Sequence, residues 1–277
     1  MRLATIRTAG TTKAVRVDLA AGTAVETGDA DVRALLDHPD WPDRAAAAAG
    51  PSHPVDDLDY APLVPSPEKI VCVGLNYRDH VLEMGNQLPD YPTLFAKFAP
   101  ALVGAYDDIV LPTVSDKVDW EAELALVIGS PIRHATPEQA QAAIAGYTVL
   151  NDVSVRDWQR RTKQFLQGKT FERSTPLGPW LVTPDELPEG GWEISSILDG
   201  EVMQHSNTSE LVFGPVDLVV YLSTILTLNP GDVIATGTPG GVGAARTPPR
   251  WLTDGAVIVT SVAGVGECHN TCRAEKR

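Results

Sequence analysis

The sequence predicts a β-rich α+β fold, and three observations carry that prediction. Apolar residues come in short runs closed by glycine or proline, which is strand spacing. One stretch, Pro215–Leu226, is the longest candidate helix. The remaining helical segments are scattered and lack the regular strand–helix alternation of a doubly wound sheet. With 277 residues, 43% of them hydrophobic, the chain can bury a large core.

Residues 1–63 read as a small N-terminal αβ domain and residues 64–277 as the main domain. Met1–Ile6 and Lys13–Leu19 alternate as short strands, with Ala9–Gly10 as the turn between them. Asp31–Leu36 is a short helix. An alanine tract and prolines 51, 54, 62, 65 and 67 follow, a linker composition stiffened by proline. Lys69–Gly74 is a continuous apolar run ending at glycine, as in a buried strand. Asn76 can cap a helix over Tyr77–Met84, with Gly85 ending it. Thr93–Phe98, Asp108–Leu111 and Glu121–Ile128 read as strands. Thr136-Pro137-Glu138-Gln139 is a helix start, with a cap, a first-position proline and a capping-box glutamine. Gly146–Leu150 is a strand, and a second helix begins after Ser154. Asp199-Gly200 turns a hairpin between Ile194–Leu198 and Glu201–Gln204. Asp232–Thr236 and Ala256–Val262 complete the strands.

The formal charge of −14 disfavours nucleic acid and anionic membrane as partners. It also repels an anionic substrate unless a local cation inverts the field. No apolar run reaches the roughly 18–20 residues needed to span a bilayer, and the N-terminus has no secretory apolar region. Three cysteines, Cys72, Cys268 and Cys272, fit a reducing cytosol, so a cytoplasmic protein is expected. Cys268, His269 and Cys272 lack a fourth ligand and are not read as a metal site.

Glu121 and Glu123 sit two apart at the start of a strand and so share a face, about 6.6–6.8 Å apart along the chain. Two such charges are costly unless neutralised, and a cation is the simplest solution. A solvated strand edge would also account for the pair taken alone. Asp152, at the carboxyl end of the strand Gly146–Leu150, adds a third carboxylate. An all-oxygen set favours Mg²⁺, Mn²⁺ or Ca²⁺ over zinc. Three protein ligands leave positions that the carboxylate and keto oxygen of a 2-oxo acid can fill.

His80 and Glu83 are helix neighbours at i and i+3, a pair able to take a proton from water or to lie on a polar surface. Lys169 lies in the short polar–apolar segment Gly168–Phe171. Lys97 lies inside an apolar run, where it either reaches solvent or serves a site. Arg156 and Gln159 are again i and i+3, with Arg160 and Arg161 behind them. This is a positive cluster suited to an anion, or a basic helix face. Ile234–Gly243 runs from a strand into a glycine-rich loop whose backbone N–H groups can form an anion nest. It is neither a P-loop nor a dinucleotide fingerprint.

Together the segments KIVCVGLNYRDHVLEMG (69–85), DWEAELALVIG (119–129), GYTVLNDVSVRDWQ (146–159), QGKTF (167–171), DGEVMQ (199–204) and LNPGDVIATGTPGGVG (228–243) resemble the fumarylacetoacetate hydrolase family in order and spacing. The resemblance covers about residues 65–262 and extends to the short acylpyruvate hydrolase and heptadiene-dioate isomerase members. It implies that family's mixed β-sandwich roll, with Mg²⁺ or Mn²⁺ on Glu121, Glu123 and Asp152. It implies a His80–Glu83 water-activating dyad and Lys169 as a catalytic cation. Tyr77, Lys97, Arg156, Gln159, Gly237 and Thr238 would hold substrate, and the chain would form a homodimer. Phe98 follows Lys97 where many relatives carry proline, and the N-terminal unit is smaller than the SH3-like domain of the long members.

The activity expected on this reading is hydrolysis of a C–C bond in an acylpyruvate-type 2,4-dioxo acid, such as fumarylpyruvate or fumarylacetoacetate. Oxaloacetate decarboxylation, and isomerisation or dehydration of a related 2-oxo diacid or sugar acid, are the alternatives, since all pass through the same enolate. A non-catalytic binding protein on this fold is disfavoured by the intact set of ionisable residues.

Overall fold

The computed structural model describes residues 1–78 and 87–276. The His80–Glu83 pair, and the helix expected over Tyr77–Met84 from Asp79 onward, lie outside them. Two large sheets make the architecture, beside a two-stranded antiparallel ribbon of Val118–Asp119 and Ser154–Val155. The larger has the order Ser52–Pro54, Thr23–Glu26, Thr11–Asp18, Arg2–Thr8, Thr175–Val182, Ile144–Asn151, Ala122–Ile128, Val233–Ala235, Ile70–Gly74 and Thr93–Lys97, with Leu102–Val103 attached to Thr175–Val182. Most neighbours are antiparallel, but Val233–Ala235 and Ile70–Gly74 run parallel. The smaller sheet orders Glu201–Asn207, Glu193–Leu198, Val257–Val262, Gly266–Ala274 and Ile109–Leu111.

The smaller sheet packs on the larger through Gly266–Ala274 against Thr175–Val182 and Val257–Val262 against Ile144–Asn151. The result is a β-rich α+β sandwich roll. Alternation explains why Leu124–Ile128 reads as continuously apolar, with Glu123 the one buried charge on the strand. Ala122, Leu124, Leu126 and Ile128 enter the core between the sheets, with Ile194, Val262 and Cys268. Ala125 and Val127 enter a second core on the opposite face, with Val32, Leu35, Leu36 and Ala45. A strand buried on both faces needs apolar side chains at every position.

The first 63 residues join this frame edge to edge, since Arg2 and Leu3 pair with Val182 and Leu181. Their helices Val32–Leu36 and Trp41–Ala46 supply part of the second core. The proline-rich stretch is tied on both sides: Ala61 N–H donates to Thr5 and Leu63 N–H to Leu177. The capping box expected at Thr136 forms, whereas the helix expected after Asn76 lies, from Asp79 onward, outside the described residues, and Asn76 Oδ1 accepts the Phe213 N–H. Asp31 accepts the Ala34 N–H, and Thr136 with Gln139 forms a full capping box. The Asp199-Gly200 turn has both residues in the left-handed region, at φ 52° and 83°, as a two-residue hairpin turn of this kind requires. Cys268 and Cys272 are buried on strand Gly266–Ala274, while His269 between them is half-exposed on the other face and pairs with Glu267.

Candidate metal centre

Four strand ends meet at one edge of the large sheet: the ends of Ile70–Gly74, Val233–Ala235 and Ile144–Asn151, and the start of Ala122–Ile128. Pairing of Ala122 with Asn151 sets Glu121 beside Asp152. The Asp152 N–H donates to the Glu121 carbonyl at 2.9 Å, and the Glu121 N–H donates to Asn151 Oδ1 at 3.0 Å. That side-chain bond replaces a ladder bond, so the strand begins at Ala122 and not at Glu121 as its sequence suggests. Glu121, Glu123 and Asp152 each present one carboxylate oxygen, and the three lie within 4.8 Å of one another. All three residues are buried.

Three cations are buried with them. Lys169 Nζ donates to Glu121 Oε2 and Asp152 Oδ2, both at 2.7 Å. Lys97 Nζ, with no exposed surface, donates to Asp152 Oδ1 at 2.6 Å and to the Val153 carbonyl. Lys97 therefore does not reach solvent and is spent on Asp152. Arg156 Nε donates to Asp119 Oδ2 at 2.7 Å, and its Nη1 meets Glu121 Oε1 at 2.7 Å and Gln159 Oε1 at 2.9 Å. Asp119 also accepts the N–H groups of Gly243 and Ala244.

Four buried carboxylates, Asp119, Glu121, Glu123 and Asp152, therefore face three buried cations, and one negative charge is left over. It falls on Glu123, which has no ion pair among the described residues and accepts only the Gly237 N–H, at 2.8 Å. Burial, and then the charges of Asp152 and Glu121, push the Glu123 carboxyl well above its ordinary range. Burial would also raise Asp152, but Lys169 and Lys97 outweigh it and hold that carboxyl down at about 2. Burial alone would lower Lys169 and Arg156. Asp152 and Glu121 raise the first, and Glu121 and Asp119 raise the second, so both stay cationic.

This donor set fits a hard divalent cation. It is all oxygen, it carries the surplus negative charge, and its spread is close to the largest separation of two oxygens on one Mg²⁺, about 4.2 Å. A divalent cation turns the residual charge to plus one, and one bound carboxylate then makes the cluster neutral.

A cavity of about 480 Å³ opens onto the cluster. Glu121, Glu123, Arg156, Gln159, Lys169 and Thr238 line it, so six of the residues singled out in the sequence share one wall. Tyr77 is fully buried, and its hydroxyl has no hydrogen-bond partner among the described residues. Gly237 stands at φ 99°, where a Cβ would meet the Val73 carbonyl at 2.9 Å, so glycine lets the loop fold its N–H onto Glu123. Two residues escaped the reading of the sequence. Asp119 clamps Arg156 to the Gly243–Ala244 backbone. Gln204 reaches from the other sheet: its Oε1 accepts the Ala122 N–H, and its Nε2 donates to Thr238 Oγ1 and the Pro239 carbonyl. Both lie in segments marked by resemblance, yet neither spacing announces a role.

Fold and site together define an α+β sandwich with a buried carboxylate triad suited to a divalent cation. The family described as fumarylacetoacetate (FAA) hydrolase C-terminal matches residues 69–273, and the chain belongs to that family of enzymes. It is 46% identical over 226 residues to a Homo sapiens protein named oxaloacetate tautomerase FAHD2A, mitochondrial, covering 80% of this chain and 72% of that one. A Rattus norvegicus protein named oxaloacetate tautomerase Fahd2a, mitochondrial, is 44% identical over 225 residues, with the same two coverages. Among solved structures, a fumarylacetoacetate hydrolase from Exiguobacterium antarcticum matches with a TM-score of 0.87 at 30% identity, over 99% of this chain and 100% of that one. A 5-carboxymethyl-2-hydroxymuconate delta-isomerase from Mycobacterium smegmatis matches at 0.83 and 33%, over the whole of both chains.

Proposed function

We propose that the protein moves a proton between keto and enol forms of an oxaloacetate-type 2-oxo acid, with a divalent cation on Glu121, Glu123 and Asp152. The observation that carries this reading is Glu123, whose carboxylate, once ionised, has no cation to answer it among the described residues. A cluster one negative charge in excess calls for a cation, and cation plus cluster then calls for one carboxylate. The names of the relatives favour keto–enol and isomerase chemistry over the C–C hydrolysis placed first from the sequence.

A divalent cation held by Glu121, Glu123 and Asp152 would supply Lewis acidity at the 2-oxo carbonyl and so acidify the adjoining C–H. Lys169 stays protonated between Glu121 and Asp152 and stabilises negative charge as it develops on the enolate oxygen. Lys97 holds Asp152, and Arg156 holds Glu121, so the carboxylates cannot swing away. Gln204 and Thr238 fix the backbone beside Ala122. The proton carrier assigned here, on the family resemblance, is His80 with Glu83 as its partner.

The test follows oxaloacetate with Mg²⁺ or Mn²⁺, reading enol decay by ultraviolet absorbance and pyruvate by a coupled assay. Faster enol decay without pyruvate is the expected result. Pyruvate formed from oxaloacetate would select decarboxylation instead. Rapid release of pyruvate and a second acid from an acylpyruvate, with oxaloacetate inert, would overturn the proposal and restore hydrolysis.

A further inference from the structure

We infer that Arg160 forms a second carboxylate subsite, which makes the cavity selective for 2-oxo dicarboxylates over 2-oxo monocarboxylates. The inference rests on the reaction proposed above for its metal and its 2-oxo end. It adds the recognition of the other end.

Three cations line the cavity: Arg156, Arg160 and Lys169. Two are spoken for. Lys169 bridges Glu121 and Asp152, and Arg156 bridges Asp119 and Glu121. Arg160 is different. Among the described residues it makes no ion pair and no side-chain hydrogen bond, and its side chain is exposed at the cavity wall. Its backbone is fixed, because its N–H donates to the Arg156 carbonyl at 3.1 Å as the short helix Arg156–Gln159 ends. The next residue turns away, with the Arg161 guanidinium stacked 3.5 Å over the Trp158 ring. Of the two arginines behind Gln159, Arg160 alone lines the cavity.

Charge decides what Arg160 answers. With a divalent cation and one carboxylate the buried cluster is neutral, so it offers no countercharge to a second carboxylate. On a chain of net charge −14, a dianion is repelled at long range. An exposed, planar guanidinium on the cavity lining supplies the missing charge and can grip a carboxylate with two parallel N–H donors. The rest of the lining includes apolar Val73, Phe95, Phe165 and Val242, and among the described residues it holds no cation beyond Arg156, Arg160 and Lys169.

The experiment compares oxaloacetate with 2-oxobutanoate, which has the same chain length and a methyl in place of the distal carboxylate. Binding to the Mg²⁺-loaded protein is read by calorimetry, so no turnover is needed. Arg160→Gln should weaken oxaloacetate about tenfold, the loss expected of one exposed charge-assisted contact. It should leave 2-oxobutanoate and Mg²⁺ within about twofold. Arg160→Lys should restore part of the oxaloacetate affinity, and added salt should erode the wild-type preference. Equal weakening of both ligands, or no change in either, would overturn the subsite. If Arg160→Gln discriminates between the ligands although wild type leaves oxaloacetate unchanged, the subsite stands and the proposed reaction falls. If oxaloacetate is tautomerised and the variant treats both ligands alike, the reaction stands and the subsite falls.

Discussion

The same two parallel strands, Ile70–Gly74 and Val233–Ala235, carry buried charge at both of their ends, and the two ends differ in kind. At the start, Asp232 is 1% exposed, accepts the N–H groups of Lys69 and Asn229, and pairs with Lys69 Nζ at 2.9 Å. One carboxylate meets one cation and two backbone donors, all from residues just before the two strands. At the far end, four carboxylates meet three cations, and Glu123 is left with a single N–H. A buried charge that its own chain answers serves the fold. A buried charge left unanswered costs stability and persists where a ligand supplies the counterpart.

The largest effect should come from removing the unanswered charge. Glu123→Gln keeps the shape and deletes the surplus negative charge. Mg²⁺ binding by calorimetry should disappear, and turnover should fall by more than the roughly 10–100-fold that loss of an outer partner costs. In wild type, Mg²⁺ at a hundred times its Kd should stabilise the fold by about 2.7 kcal/mol, and Glu123→Gln should show no such rise. Undiminished Mg²⁺ binding in this variant would break the contrast between the two strand ends.

Much of this end of the molecule was legible in the sequence because strand periodicity is local. Glu121 and Glu123 two apart, and Asp152 closing an apolar run, are patterns that need no knowledge of the fold. The Thr136 capping box and the Asp199-Gly200 turn are legible for the same reason. Gln204 is not, because it acts across from the other sheet, 82 residues from its partner Ala122. Nor is the strand Thr175–Val182, whose prolines and glycine hide a central position that joins the N-terminal strands to the rest. Gly266–Ala274 reads as a polar tail because its outward residues are polar, while Cys268, Asn270 and Cys272 face inward. Long-range pairing, not composition, decided these three.

Gln204→Ala comes next in size. It leaves every ligand in place but frees the Ala122 N–H and the Thr238–Pro239 turn. The neighbouring Gly237 N–H then holds Glu123 less firmly. Mg²⁺ affinity should fall about 10–100-fold with little change in ligand identity, read by the same calorimetry. At the other strand end, Asp232→Asn puts an NH₂ where one N–H donor now finds oxygen. It should cost about 1–2 kcal/mol in urea unfolding and leave kcat unaltered in the folded protein. A collapse of kcat there, with Mg²⁺ affinity intact, would mean that the two ends are coupled and not separate in role.

The smallest effect is a slope. In the unfolded chain Glu123 ionises near the ordinary glutamate value of about 4.3, whereas in the fold burial and its carboxylate neighbours raise it well above that. Between the two values the native state of the metal-free protein keeps a proton that the unfolded chain has released. Stability therefore falls as pH rises through this window, by at most about 1.4 kcal/mol per pH unit for one proton, and levels off once Glu123 ionises in the fold. Asp152 acts in the opposite sense but elsewhere. Held at about 2, its contribution is complete above its unfolded value of about 3.9 and is lost as pH falls through 2, below the window. Other groups contribute their own slopes, so the measurement is a difference: urea unfolding of the metal-free wild type minus that of Glu123→Gln, from pH 5 upward. The wild type should lose stability relative to the variant as pH rises, and saturating Mg²⁺, which competes with the proton for the same oxygens, should remove that loss. Parallel curves would mean that Glu123 is already ionised and answered within the chain, and the two strand ends would then be alike.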